Sequence, residues 1–156
     1  MDYLLSGALG GLVAFVFSIP AIILEVIEKG HVKNSPLVVD VKTIFGYKLN
    51  KREAFLVGLL IYILTGILFG VTYILFVAKG WLFITHSPYT FLSLVTYSFL
   101  SWVVAGVIVY PVLRMGLFGK KEGHHVWLET VVSHFLLGVC LWLLIQYYQP
   151  QFFNLL

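Results

Sequence analysis

The stretch GKKEGHHVWLETVVSH, residues 119–134, leads from a basic, glycine-punctuated loop into a long apolar run and carries His125, Glu129 and His134 with it. On a helix that turns about 100° per residue, His125 and Glu129 lie within about 40° of each other. An imidazole and a carboxylate at i, i+4 supply two ligands to a divalent metal, as paired groups on one helical face do in zinc enzymes. Two ligands are too few. HExxH is absent, and the remaining ligands would have to come from His124, His31, Glu28 or other helices. Glu129 also has a structural role open to it: an anion in the first helical turn is favoured by the helix dipole, close to the cations Arg114, Lys120 and Lys121.

His134 points about 140° away from Glu129 and lies eight residues inside the run, roughly 12 Å along a helix axis. A polar ring at that depth must face other helices. Its chemical options are haem ligation, proton transfer or binding of a small solute or ligand head group, with Tyr62 and Tyr110 converging on it from other segments. Its structural option is a hydrogen bond across the bundle to a backbone carbonyl or to Tyr62, Thr65, Tyr73, Ser98, Ser101 or Tyr110. Bis-histidine haem ligation within one chain is excluded, because His31, His86, His124 and His125 do not lie at matching depth. No cofactor is predicted outright; a haem or a divalent metal is what such a set would admit. P-loop, nucleophile-elbow and paired-carboxylate signatures are all missing, so the expectation is a protein that is not an enzyme.

The elements that position these residues follow from composition. Of 156 residues, 60% are hydrophobic and 11% charged, with a mean hydropathy of +0.98; soluble domains carry roughly 25% charged residues. An integral membrane protein is implied, a single domain over residues 1–156, with no room for a separate soluble catalytic domain. Four apolar segments, 4–24, 54–78, 91–113 and 126–148, are each long enough to cross about 30 Å of hydrocarbon as a helix. None alternates polar with apolar residues, which excludes strands of a barrel. The fold class is therefore all-α: a polytopic, four-transmembrane-helix bundle. Nine Lys and Arg residues fall between spans one and two and between spans three and four, against Lys79 alone on the other side. The positive-inside rule then puts the basic loops in the cytoplasm and both termini outside an inner membrane. The basic residues flank apolar runs, so the net charge of +3 points to the lipid bilayer and away from nucleic acid. Asp2 stands where a secretory signal would carry a cation, and the first run reads as an uncleaved span. Cys140, the single cysteine, rules out an intrachain disulfide or CxxC site. Trp81, Phe83, Tyr89, Tyr147, Tyr148, Phe152 and Phe153 read as an outer aromatic belt.

Local signals refine this outline. SPLVVDVKTIFG predicts a short amphipathic helix over about 36–45 at the membrane surface, with Ser35 as cap, Pro36 at its first position and Gly46 as its end. Asn50 and Glu53 have capping-box spacing before span two. Gly7 with Gly11, Gly66 with Gly70, and Gly138 mark close helix packing. Pro20 and Pro111 are expected to kink spans one and three. Aligning these prolines, and Tyr62–Gly66 with His134–Gly138, gives a weak internal repeat of two helical hairpins in the same orientation.

YPVLRMGLFGKKEG followed by WLETVVSHFLLG, together with YILTGILFGVTY and SPLVVDVKTIFG, resembles a family of small bacterial four-span membrane proteins of unknown function. Over nearly the whole chain the resemblance implies that architecture, including a short helix in the first loop, and no activity. Many such sequences carry histidine where this chain has Tyr62, which argues against a symmetric two-histidine haem site here. The leading expectation is a packing or accessory subunit in a homo-oligomer or a larger membrane complex, and the alternative is a solute, proton or cofactor site at His134.

Overall fold

In the computed structural model the described residues are 3–28, 43–45, 47–81 and 90–152. Helix α1 spans Tyr3–Glu28 and α2 spans Lys51–Ala78. The third span begins as α3, Phe91–Val104, passes through a π-helical segment at Ala105–Val109 and ends in α4, Tyr110–Val112. Helix α5 runs Val126–Phe152. Among the described residues four helices are thus long and apolar enough to cross a membrane, and the chain is an all-α, multi-pass membrane bundle. Such runs fold as helices because hydrocarbon offers no partner to a backbone N–H or C=O outside the chain itself.

The predicted capping box is present. Asn50 Oδ1 accepts from the Glu53 N–H and Glu53 Oε2 accepts from the Asn50 N–H, both at 2.9 Å, so two otherwise unpaired N–H groups are satisfied before span two. Thr90 plays the same part for α3, accepting from the Ser93 N–H. The predicted surface helix is corrected at its end. Thr43–Ile44 (β1) pairs antiparallel with Tyr47–Lys48 (β2), and Phe45 takes φ 49° in the turn, so residues 43–45 leave helical conformation for a tight hairpin; residues 36–42 lie outside the described residues.

Helix α1 packs on α2, α3 on α5, and α1 also meets α5. Tyr73, Ile74, Leu94, Leu137, Leu141 and Ile145 are sealed between them. The α1–α2 contact adds a second row to the predicted glycine face. A Cβ at Gly10 would collide with the Gly66 carbonyl, and one at Gly70 with the Ser6 carbonyl, so the face of closest approach on α1 is Ser6–Gly10–Ala14. Gly7 and Gly11 sit one residue to its side and are also tightly packed, a Cβ there coming first on the side chains of Val71 at 2.8 Å and Ile67 at 2.7 Å. Ser6 Oγ closes the contact by donating to the Gly70 carbonyl at 2.7 Å. In the second hairpin Gly138 admits Ser98, whose own hydroxyl donates back to Leu94 O at 2.7 Å.

Both hairpins are therefore locked by a glycine four residues after Tyr62 or His134. Their first helices are not in the same register: ten residues separate Gly10 from Pro20, thirteen separate Ser98 from Pro111. Part of the difference is the π segment. Pro111 has no N–H, and its ring would clash with the carbonyl four residues back in a regular helix. The chain widens over Ala105–Val109 just before it, with the Tyr110 N–H reaching Ala105 O. Gly106, inside the wide turn, takes the Phe118 ring against its backbone.

Candidate functional site

His134, Tyr62 and Tyr110 meet at one cavity of about 40 Å³ between α2, the end of the third span and α5. Tyr62 and Thr65 enter from α2, Thr130, Ser133 and His134 from the first turns of α5, and Met115 and Val126 close the end nearest the basic loop. Met115 comes inward because the chain reverses sharply after α4: Arg114 and Phe118 hold left-handed φ of 64° and 51°, and Gly116 and Gly119 hold 78° and 72°. Left-handed backbone at a bulky residue costs of order 1–3 kcal/mol and persists where packing fixes it. Here the Phe118 ring, 4.8 Å from that of Trp102, lies on Gly106.

Burial and hydrogen bonding define what the cavity presents. His134 is 3% exposed and Tyr62 8%. Nδ1 of His134 lies 2.8 Å from the Thr130 carbonyl of its own helix. A carbonyl can only accept, so Nδ1 carries the proton and, in the neutral ring, Nε2 is a bare acceptor. Among the described residues Nε2 has no hydrogen-bond partner, and neither has the Tyr62 hydroxyl. The Ser133 hydroxyl sits beside the phenol without bonding geometry to it. The sequence expectation of a bond across the bundle is thus corrected. Ser98 is engaged with its own helix, and Tyr62, Thr65 and Tyr110 line the cavity without bonding the imidazole. Two buried, unpaired polar atoms facing one small space are uncommon, because each costs about 1–3 kcal/mol when left dry.

Thr130 fixes the wall. Its hydroxyl donates to Trp127 O at 3.0 Å and accepts from Trp102 Nε1–H at 3.2 Å, tying the third span to α5, while its carbonyl holds His134. Tyr110 lies against the same residue. Deeper in the bundle the buried Phe69 ring stands edge-on to His134 at 6.3 Å and tilted against Tyr97 at 4.7 Å. Tyr97 donates to Phe69 O at 2.8 Å and is hydrogen-bonded to Thr72, so that second polar group is already satisfied.

His125 and Glu129 are placed apart from this site. His125 is exposed at the entry to α5, stacked on His124 with centroids 5.2 Å apart, and its carbonyl accepts from the Glu129 N–H at 3.1 Å. Glu129 is half-buried, and among the described residues no set of three His, Cys, Asp or Glu side chains converges to hold a metal. At His134 the donors are one imidazole nitrogen and neutral hydroxyls, a poor set for a divalent ion. A haem macrocycle does not fit a space that holds about three waters at roughly 10–15 Å³ each. Met115, Ser133 and Thr130 escaped sequence reasoning. Thr130 left one signal, its position four residues before His134, where its carbonyl falls under the ring.

Comparison of the chain with protein-family models, with curated proteins and with solved structures gives no match.

Proposed function

We propose that this integral membrane protein binds a water-sized, hydrogen-bonding solute inside its bundle, with His134 Nε2 accepting from it and the Tyr62 hydroxyl completing the contact. The observation that carries this is the pair of buried, unpartnered polar atoms on one cavity. A molecule that both donates and accepts, such as water or ammonia, satisfies both groups at once; a single bridging water would also make the pair a proton relay. The chain so read is a non-enzymatic binding protein, in the orientation that places the cavity nearer the cytoplasmic, basic side.

The test is ¹⁵N NMR of histidine-labelled protein in lipid nanodiscs, beside an absorption spectrum and metal analysis of the same preparation. The expected result is a neutral ring protonated at Nδ1, an Nε2 resonance shifted by an accepted hydrogen bond, and a change in that shift in Tyr62→Phe. A proton on Nε2, or a Soret band or stoichiometric metal lost in His134→Leu, overturns the proposal.

A role as a packing or accessory subunit has its own support in the third span. Only 28% of its apolar window is buried within the chain, against 39% for each of the others, leaving Phe99, Leu100, Val104 and Ile108 outward for lipid or a neighbouring helix.

A further inference from the structure

Beside the basic loop, and separate from the His134 cavity, an open groove of about 770 Å³ is lined by Trp102, Phe118 and Trp127, with Lys120 and His124 also on it. Its position follows from the sequence: Trp102 belongs to the apolar third span, Trp127 to the first turn of α5, and Lys120 and His124 to the loop between them. The groove therefore straddles the boundary between hydrocarbon and water. Its walls are held in place from behind. The Trp102 indole N–H is committed to Thr130, and its ring tilts against Phe118 at 4.8 Å and Phe99 at 5.9 Å. Below the groove the wall continues into the apolar, outward face of the third span, at Phe99 and Leu100.

Charge on the groove has one sign. Lys120 is exposed on it and among the described residues no carboxylate lines it; Glu122, two residues on, is turned inward and buried. A second large groove at this end of the bundle, between α1 and α2, is lined by Glu25 as well as Lys51 and Arg52 and is not selective in sign. A cation at the water side, indole and phenyl rings at the boundary and an apolar strip beneath match the order of groups in a phospholipid: phosphate, glycerol ester, acyl chain.

We infer that this groove is a binding site for an anionic phospholipid, with Lys120 on the phosphate, Trp127 against the glycerol esters, and an acyl chain running past Trp102 along the outer face of the third span. It stands independently of the ligand proposed for His134.

The experiment is tryptophan quenching in vesicles of phosphatidylcholine containing a minor fraction of either brominated phosphatidylglycerol or brominated phosphatidylcholine. Trp81→Phe and Trp142→Phe are introduced together so that the emission comes from Trp102 and Trp127. The expected result is roughly fivefold stronger association with the anionic quencher, the scale of one basic side chain near a membrane surface, falling to parity in Lys120→Gln. Lys120 is exposed on a loop, and an unchanged helical circular dichroism spectrum verifies that the variant folds. Equal quenching by the two lipids overturns the inference, as does a preference that survives Lys120→Gln. Loss of the preference on adding millimolar inorganic phosphate at constant ionic strength would show a soluble-anion site and also overturn it. Quenching by neither lipid, with emission that depends on protein concentration, would assign the groove to a second copy of the chain instead.

Discussion

The two unpaired atoms on the cavity allow a prediction in which sign as well as size is informative. If the space between His134 Nε2 and the Tyr62 hydroxyl were dry, Tyr62→Phe would relieve a buried, unsatisfied atom and stabilise the protein by about 1–3 kcal/mol. If a bridging solute is bound, Tyr62→Phe removes one hydrogen bond and should destabilise by about 0.5–1.5 kcal/mol, and His134→Leu, which also gives up the Nδ1–H bond to the Thr130 carbonyl, should destabilise by more. The phenol and imidazole are not bonded to each other, so any energetic coupling between them passes through what lies between. Once one group is gone and the solute is lost, the second deletion has less to remove. The double variant should therefore be less destabilised than the sum of the singles by at least about 0.5 kcal/mol. The assay is reversible unfolding in mixed micelles followed by helical circular dichroism for the four members of the cycle. Stabilisation in either single variant, or additivity within about 0.3 kcal/mol, would refute the bridging solute.

Other predictions follow from the glycine contacts and the loop. Gly10→Ala drives a methyl into the Gly66 backbone, and should destabilise the α1–α2 hairpin by at least about 2 kcal/mol. Gly11→Ala meets the Ile67 side chain and no α2 backbone, and should be destabilising by less than Gly10→Ala, on the order of 1 kcal/mol. Gly138→Ala should be destabilising in the same assay and largely rescued by Ser98→Gly, since the Ser98 side chain is what the new methyl meets. Gly116→Ala, at φ 78° and ψ 172°, a region open essentially to glycine alone, should cost about 1–3 kcal/mol of stability and, by loosening the turn that seats Met115, speed hydrogen exchange at the start of α5.

Much of this architecture was legible in the chain because membrane helices are written in length and polarity. The expected spans 4–24, 54–78, 91–113 and 126–148 became 3–28, 51–78, 91–112 and 126–152: three helices run on past the hydrocarbon-length segment, and the third ends one residue early. Asn50 and Glu53 were readable because a capping box is local. The inward turn of His134 and Tyr62 was foreseeable from depth, since polar rings well inside an apolar run must face other helices, whereas Tyr110, two residues from the end of its span, gave no such signal. The choice of packing row was not foreseeable. Ser6, Gly10 and Ala14 have the same spacing as Gly7 and Gly11, and only the partner helix decides which row it meets. The π turn before Pro111 and the left-handed Arg114 and Phe118 answer to tertiary packing, so the inward course of Met115 left no periodic trace. His134 finding its proton acceptor on its own helix is the same lesson at one residue, because the ring's rotamer, set by its neighbours, chooses between carbonyl and cavity.

The most direct measurement is water-edited solid-state NMR on histidine-labelled protein in bilayers, reading which imidazoles receive polarisation from mobile or bound water. A solute-holding cavity predicts that the His134 ring, buried as it is, polarises along with the exposed His124 and His125, and that Tyr62→Phe weakens the transfer to His134 alone. A His134 ring that stays dark while His124 and His125 polarise would show a dry, sealed cavity and contradict the proposed site.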